Sequence, residues 1–290
     1  MKQFVLLFIA VMLCWGCKDQ TANENHTSTN SVIPRIIVHN DIQVIPLKPT
    51  DFKPLIKDTV SPELRAVLQE IIDNMVYIEG GVYVMGDDAE VSDLEERPLY
   101  AYPAHQESVD NFYLSKTEVT QRQWMAVEGP RETYYPNPDK PMENISWVEC
   151  NAFMRDLQAL TGLPFRMPTE EEWEFAAQGG KKTHHYEFPG NANAEKVAWF
   201  HELAADSIPP RTIKVGSKAP NELGLYDMGG NVWEFALNDW RNNYCTQPDN
   251  SWKTMRGGSF RSTSYKCRPQ SRMKVRADFK ASHIGLRLAL

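Results

Sequence analysis

Two glycine-containing stretches near the C-terminus constrain the fold of this chain more than any other part. The first reads NELGLYDMGGNVWEF at residues 221–235, and the second reads RGGSF at residues 256–260 before the chain continues to IGLR at residues 284–287. In the first stretch, Asp227 and Glu234 flank two glycines and an asparagine. Glycine permits the left-handed turns that other residues avoid, so a tight turn can gather both carboxylates and the carbonyls between them. We therefore predict that the two stretches form one coupled site.

Carboxylates and backbone carbonyls around one point are the oxygen ligands that Ca²⁺ takes in proteins. The spacing of Asp227, Gly230 and Glu234 is compatible with such a site. It is equally compatible with an ordinary glycine-rich turn whose acids are solvated, and a short pattern taken alone favours that simpler interpretation. The choice between them depends on the rest of the chain.

Other separated blocks recur upstream of the two stretches. In their order and spacing, these blocks resemble the sulfatase-modifying-factor family, whose founding members are the formylglycine-generating enzymes. The resemblance covers about residues 75–290 and is specific, because six blocks stand in register. The upstream blocks are IEGGVYVMG at residues 78–86, KTEVT at 116–120, NISW at 144–147, PFRMPTEEEWEFAA at 164–177 and GG at 179–180.

The resemblance implies an α+β fold of the formylglycine-generating-enzyme type. This is a single compact domain related to the C-type lectin fold, poor in regular secondary structure and often holding Ca²⁺. Carried onto this chain, the family's Ca²⁺ ligands are the side chains of Asp227 and Glu234 and the carbonyl oxygens of Gly230 and Val232. A second family Ca²⁺ site falls in the region of residues 191–207, where no match is found, and it stays unassigned.

The resemblance also locates an active site from which this chain departs. Family enzymes use two cysteines, five residues apart and just after the Gly-Gly-Ser block, to bind Cu(I) and oxidise a substrate cysteine with O₂. Here the two positions carry Ser262 and Cys267. Soft thiolates select Cu(I), whereas a neutral hydroxyl is a hard and poor ligand for it. Cys267 is thus the one candidate catalytic residue, and we expect copper not to be held tightly.

The other cysteines of the domain are Cys150 and Cys245, and neither lies in the local motif. Cys150 falls on a predicted helix, where a buried, small apolar role is usual. Cys245 is able to pair with Cys267 as a disulfide in an oxidising compartment, but pairing cannot be deduced from sequence, so unpaired thiols are the alternative.

The N-terminus predicts export. A short basic segment precedes a ten-residue apolar run from Phe4 to Leu13, which is too short to span a membrane and is typical of a signal peptide over residues 1–16. Cys17 follows Gly16 as in a bacterial lipobox, and the pattern resembles lipoproteins of Bacteroidota. We expect a lipid on Cys17 that anchors the protein to the outer membrane, facing the periplasm or the surface; plain secretion is the alternative.

Residues 17–60 are predicted to form the lipidated cysteine, a disordered polar tether and a proline-containing extended arm. The domain proper is predicted to span residues 61–290. Its first helix begins at Ser61-Pro62 and presents an apolar stripe formed by Leu64, Val67, Leu68, Ile71 and Ile72.

Further elements are indicated by glycines and capping residues. Val76 to Met85 is predicted to form a hairpin of two short strands that turns at Gly80-Gly81. Three helices are predicted from Thr120 to Gly129, from Ser146 to Thr161 and from Thr169 to Gly179. Little is periodic in the last 110 residues.

Charge is distributed unevenly along the chain, whose net charge is −7. Residues 253–287 hold ten lysine and arginine residues against one aspartate. One interpretation is that this basic end pairs internally with the acidic body. The other is that some of these cations line a surface for an anionic glycan or envelope polymer. The overall acidity and the predicted export of the chain disfavour nucleic acid as a partner. The residues considered for such a surface are Arg261, Lys266, Arg268, Arg272 and Lys274.

Three functions are compatible with these features. We favour a catalytically silent domain that binds partners or builds structure in the cell envelope, as family lipoproteins of gliding motility and type IX secretion do. A copper-dependent oxidase that makes formylglycine in sulfatases is the first alternative. A lectin-like ligand binder is the second.

Overall fold

The computed structural model describes residues 55–57, 59–88, 100–201 and 210–290. All of them belong to one compact unit, residues 45–290. The predicted signal peptide, Cys17 and the tether lie outside the described residues. Among the helices that are described, none combines the length and apolar character needed to cross a membrane.

Helix α1, Pro62–Asp73, begins where the sequence predicts. The Ser61 hydroxyl accepts a hydrogen bond from the Leu64 amide, which satisfies one of the unpaired N–H groups of the first turn. The predicted stripe is confirmed, since its central residues are buried in the main core. Just before the helix, the Leu55 amide donates to the Thr161 carbonyl at 2.9 Å, so this end of the arm lies against the domain.

Helices α2 (Gln121–Glu128), α3 (Trp147–Thr161) and α4 (Glu170–Ala177) confirm the other three predicted helices. Each begins with a complete capping box, in which a hydroxyl and a Glu or Gln three residues later satisfy each other's backbone N–H groups. The capping residues are Thr120, Ser146 and Thr169.

The predicted hairpin is wrong. Strands β1 (Met75–Ile78) and β2 (Gly81–Met85) exist, but they belong to different two-stranded sheets. Strand β1 pairs antiparallel with β4 (Phe112–Ser115), and β2 pairs antiparallel with β3 (His105–Val109). Gly80 marks the crossing: its amide donates to the Asn111 side chain, and a Cβ there would lie 2.2 Å from the Val109 carbonyl oxygen.

A four-stranded sheet forms in the part of the chain where the sequence shows no periodicity. Its order is β7-β6-β5-β8, and β8 runs parallel to β5 while the other neighbours are antiparallel. The sheet carries the site described below, because Glu234 lies on β5 and residue 256 ends β6. The strands are β5 (Trp233–Trp240), β6 (Asp249–Arg256), β7 (Arg272–Arg276) and β8 (Ile284–Gly285).

Buried apolar side chains form three clusters. The main one joins helices α1 to α3 to the four-stranded sheet. A second surrounds Trp173 and Phe175 of α4. The third is small and contains Cys267 beside the short helix α5 (Ala194–Val197). Residues 221–260, which contain the candidate site, contribute side chains to the first two clusters, and this packing holds their backbone in place.

Candidate functional site

The two glycine-containing stretches form one unit, as predicted. The Gly230 amide donates to the Gly257 carbonyl at 2.8 Å, and the Phe260 amide donates to the Asn231 carbonyl at 2.9 Å. Glu234 of β5 is paired in register with Arg256 of β6. Backbone hydrogen bonds therefore hold the acidic turn and the Gly-Gly-Ser turn against each other.

The acidic turn is held in a sparsely populated backbone conformation. Asp227 and Asn231 have φ angles of 56° and 55°, and Gly230 has a φ of 81°. A positive φ is uncommon for residues other than glycine and costs of order 1–3 kcal/mol. Gly230 also meets its neighbour closely, since a Cβ there would lie 2.1 Å from the Trp199 carbonyl oxygen. Such strain persists only where surrounding contacts fix the turn.

Asp227 is buried beside a carboxylate to which the sequence analysis gave no role. The Oδ2 atom of Asp227 accepts a hydrogen bond from the Gly216 amide at 2.6 Å, while its Oδ1 atom has no hydrogen-bond donor. Glu118 is fully buried: its Oε1 atom accepts from Asn231 Nδ2 at 3.0 Å, and its Oε2 atom also has no donor. Glu118 lies in the KTEVT block at residues 116–120, one of the blocks that resemble the family, and this resemblance is the feature of the sequence that points to it.

Glu234 is paired with a buried arginine. Arg287 Nη2 donates to Glu234 Oε1 at 2.7 Å, and Arg287 Nε donates to Oε2 at 2.9 Å. The indole N–H of Trp173 donates to the same Oε2 at 2.6 Å. The remaining guanidinium N–H groups donate to the Ser115 and Tyr226 carbonyls, each at 2.8 Å. Arg287 thus neutralises one of the three carboxylates.

The other two carboxylates form no salt bridge of their own within the described residues, and the nearby charge of Arg287 offsets only part of the cost of burying them. Burial raises the pKa of Glu118 well above its usual value, and the negative charges of Asp227 and Glu234 raise it further. Burial also raises the pKa of Asp227 to about 6, although the hydrogen bond from Gly216 opposes the shift. Desolvated like charges disfavour ionisation of both groups, so without a cation each takes up a proton at a higher pH than an exposed carboxyl group does, which for Asp227 is a pH of about 6.

These observations fit a bound Ca²⁺. Two buried carboxylate oxygens lack donors, and the Gly230 and Val232 carbonyls belong to the turn that follows Asp227. Within the described residues, no three His, Cys, Asp or Glu side chains form a metal-binding group by themselves, so carbonyl oxygens would have to complete the shell. Glu118 is an additional ligand candidate. Glu234 is less available than expected, because Arg287 and Trp173 engage both its oxygens. The predicted ligand set remains a prediction.

The two positions of the family's thiol pair do not fit copper. The Ser262 hydroxyl accepts a hydrogen bond from the Ser259 amide at 3.0 Å and lies 3.2 Å from the Ser259 hydroxyl. Cys267 is fully buried and packs in the third apolar cluster, with its Sγ 3.8 Å from the Thr263 carbonyl oxygen. A hard hydroxyl that closes a turn and a single buried thiol do not make a Cu(I) site.

Within the described residues, neither Cys150 nor Cys245 supplies the missing thiol. The disulfide considered between Cys245 and Cys267 is wrong: Cys245 is exposed, Cys267 is buried in the core, and the two are not joined to each other. Cys150 is buried on α3, as predicted, and burial raises the pKa of its thiol well above the usual range. A buried thiol of raised pKa is not a reactive one.

Much of the basic C-terminal segment pairs internally. Arg272, considered above for a ligand surface, is buried and donates to Glu170 at 2.8 Å, so for this residue the surface interpretation is wrong. Arg256 pairs with Glu170 and Glu174 of α4, and Arg268 pairs with Glu187. Glu170 and Glu174 of α4 thus neutralise the two buried arginines of the sheet, Arg256 and Arg272.

The model of the "Sulfatase-modifying factor enzyme 1-like domain" matches residues 61–290. Among curated relatives, the "Chaperone protein LppX" of Paenibacillus barcinonensis is 28% identical over 66% of this chain and 79% of its own. The formylglycine-generating enzyme of Thermomonospora curvata is 30% identical over 57% of this chain and 60% of its own. The "Inactive C-alpha-formylglycine-generating enzyme 2" of Mus musculus is 30% identical, with 57% and 54% covered. This chain therefore spans under two thirds of those two relatives.

Solved structures confirm the fold. The Treponema denticola variable protein 1 superposes with a TM-score of 0.62 at 25% identity, covering 74% of this chain and 94% of its own. PvdO from Pseudomonas aeruginosa gives a TM-score of 0.64 at 24% identity, covering 74% and 93%. Together with the family match, these likenesses bear out the predicted α+β fold of the formylglycine-generating-enzyme type.

Proposed function

Since the chain belongs to the sulfatase-modifying-factor family, we propose that it is a non-catalytic member that serves as a binding or structural module of the bacterial cell envelope. The observation that carries this proposal is that only one of the family's two copper-binding thiols is present in this chain. Ser262 closes a turn where the family has a copper-binding thiol, and Cys267 packs as a buried apolar residue. The domain keeps the family scaffold without the soft ligands that its oxidase chemistry requires.

The names of the relatives support both a binding role and the main alternative. One relative is named a chaperone and another an inactive member, which fits a scaffold used without oxidation. Others are named formylglycine-generating enzymes, which favours the oxidase, and Cys267 is the residue that would serve it. The lectin-like fold also suits a third role, direct ligand binding, for which one surface of the domain offers specific support below.

The envelope setting rests on the N-terminus. A signal peptide over residues 1–16 followed by Cys17 fits a lipoprotein, and the resemblance to Bacteroidota lipoproteins suggests a role in gliding motility or type IX secretion. In this proposal the lipid holds the domain at the outer membrane, and the tether gives it reach to its partners.

Replacing the acylated residue tests the anchoring. We expect Cys17→Ser to move the protein from the membrane to the soluble fraction, or to leave it unprocessed, because the polar segment after residue 17 offers no other apolar anchor. Fractionation of cells with an immunoblot measures the change, and Cys245→Ser is the matched control that should stay in the membrane fraction. Unaltered membrane retention and processing of Cys17→Ser would defeat the assignment.

A pull-down from native membranes tests the binding role. The full chain should retain a reproducible envelope protein or polymer that a variant with a disrupted domain, Arg287→Met, loses. An empty pull-down combined with turnover of a sulfatase peptide would instead favour the oxidase.

A further inference from the structure

Lys140, Arg211 and Arg261 are among the described cations that form no ion pair, and they lie on one surface. Among the described residues, no carboxylate lies within salt-bridge distance of Lys140, Arg211 or Arg261. Arg211 and Arg261 are exposed, and Lys140 is half-buried. Elsewhere the basic residues of the domain mostly face carboxylates, as the ion pairs of Arg122, Arg166 and Arg268 illustrate. The three unpaired cations are therefore available to a ligand.

These cations surround one pair of aromatic rings. The rings of Tyr135 and Phe260 meet edge to face, with centroids 5.5 Å apart. Lys140 Nζ lies 5.5 Å from the Tyr135 centroid, and the Arg261 guanidinium lies 5.5 Å from the Phe260 centroid. The Tyr135 hydroxyl donates to the Pro210 carbonyl at 3.3 Å, which places Arg211 next to the same ring. We call this surface the Tyr135 face; it consists of Tyr134, Tyr135, Lys140, Arg211, Phe260 and Arg261.

Acids close to the Tyr135 face are already engaged. Glu143 is buried, and its Oε1 atom accepts hydrogen bonds from the Tyr134 and Tyr135 amides; its charge offsets part of that of Lys140 but forms no salt bridge with it. Asp139 pairs with Lys214 at 2.9 Å. The positive potential of the face is thus not cancelled by these neighbours.

The titration of two groups agrees with a positive potential here. Partial burial and the nearby charge of Arg211 lower the pKa of Lys140. Burial lowers the pKa of His283, and the charge of Arg261 lowers it further. Cations that repel one another at a surface gain from an anion placed between them.

We propose that the Tyr135 face binds an anionic polysaccharide, with carboxylate or sulfate groups on Lys140, Arg211 and Arg261 and a sugar ring on the exposed Tyr134. The inference names a ligand class for the binding role proposed above and rests on that role. If the protein does not bind the polysaccharide, the proposed non-catalytic role still stands. If it oxidises a cysteine-containing sulfatase peptide, both the non-catalytic role and the polysaccharide proposal fail.

The aromatic residues favour a polysaccharide over an acidic protein or a lipid surface. Tyr134 is 65% exposed and directly precedes Tyr135 in the chain, and a flat exposed ring offers its face to the C–H groups of a sugar. Tyrosine carries a polar hydroxyl, and the face has no exposed aliphatic side chain to insert among lipid chains. An acidic peptide would bind to the cations but would have no use for the exposed ring of Tyr134.

Binding of the full chain to polygalacturonate and to heparin, with neutral dextran as the reference polymer, tests the proposal. We expect both anionic polymers to bind with an affinity that falls as salt rises, and dextran not to bind. Arg211→Gln and Arg261→Gln should each weaken binding about fivefold or more, because each removes one ionic contact. Tyr134→Ala, which preserves charge, should weaken it by a similar factor.

A matched control is Arg155→Gln, which removes an arginine whose side chain is 75% exposed on α3. Its affinity should stay within about twofold of the unchanged protein, as expected for an exposed charge that is not part of the Tyr135 face. Thermal melts of every variant confirm that the domain is folded. Equal weakening by Arg155→Gln, full retention by Tyr134→Ala, or equally tight binding of polyglutamate or of anionic lipid vesicles would overturn the proposal.

Discussion

Replacing Arg287 by methionine should lower the free energy of unfolding by about 3–5 kcal/mol, because it leaves a buried carboxylate without its counter-charge. Arg287 is fully buried and donates two hydrogen bonds to Glu234 and two to backbone carbonyls. Methionine has a similar length but offers no N–H group. Urea denaturation of the full chain, followed by tryptophan fluorescence, measures the change.

Arg276→Met is the matched control. Arg276 pairs with Asp278 at 3.3 Å, but its side chain is 65% exposed, and exposed ion pairs contribute about 0–1 kcal/mol. Adding Glu234→Gln to Arg287→Met should recover part of the lost stability, since it removes the unpaired charge. A loss from Arg287→Met no larger than that from Arg276→Met would contradict the role given to this ion pair.

The second large effect concerns Ca²⁺ and pH. In chelator, we expect the contribution of Asp227 to stability to rise by about 2–3 kcal/mol as the pH falls from 7 to 4, because the pKa of Asp227 is raised to about 6 in the folded protein. The folded state then binds a proton more tightly than the unfolded state, so this contribution is complete below pH 4 and is lost as the pH rises through 6. Saturating Ca²⁺ should remove the loss at pH 7, since the cation takes the place of the proton.

Asp227→Asn isolates this effect. The amide cannot ionise, so in chelator the variant should be more stable than the unchanged chain at pH 7 and should gain less from acidification, with Glu118 supplying the gain that remains. It should also gain less from Ca²⁺. Calorimetry in buffers of different ionisation enthalpy should show that Ca²⁺ binding releases protons at pH 6, and fewer of them in Asp227→Asn. A chelator-insensitive melting curve, with no proton released, would show that the site is only a turn.

Helices were predictable because their signals are local. Thr120, Ser146 and Thr169 each precede a Glu or Gln three residues on, and the resulting capping boxes are formed within one turn of backbone. The strands depend on partners far along the chain. Strand β1 pairs with β4, more than 30 residues further along the chain. The glycines at 80 and 81 are typical of a hairpin turn, but here they connect two strands that belong to different sheets.

The C-terminal sheet gave no alternating pattern because its strands are covered unevenly. The first four residues of β5 are all buried, and its last four include exposed positions, so a period of two never appears. Coupling of the two glycine-containing stretches was predictable from their composition. Glu118 was not, because its place beside Asp227 depends on the hydrogen bond from Asn231, a residue 113 positions away.

The central claim is that this chain does not oxidise cysteine, and mass spectrometry of a cysteine-containing sulfatase peptide tests it most directly. The full chain, supplied with copper, a reductant and O₂, should leave the peptide thiol unchanged, because Ser262 and Cys267 provide one soft ligand where two are needed. Ser262→Cys, which restores the pair, is the variant in which copper binding is expected to return. Conversion of the thiol to the aldehyde by the unmodified chain, dependent on copper and abolished by Cys267→Ala, would contradict the account.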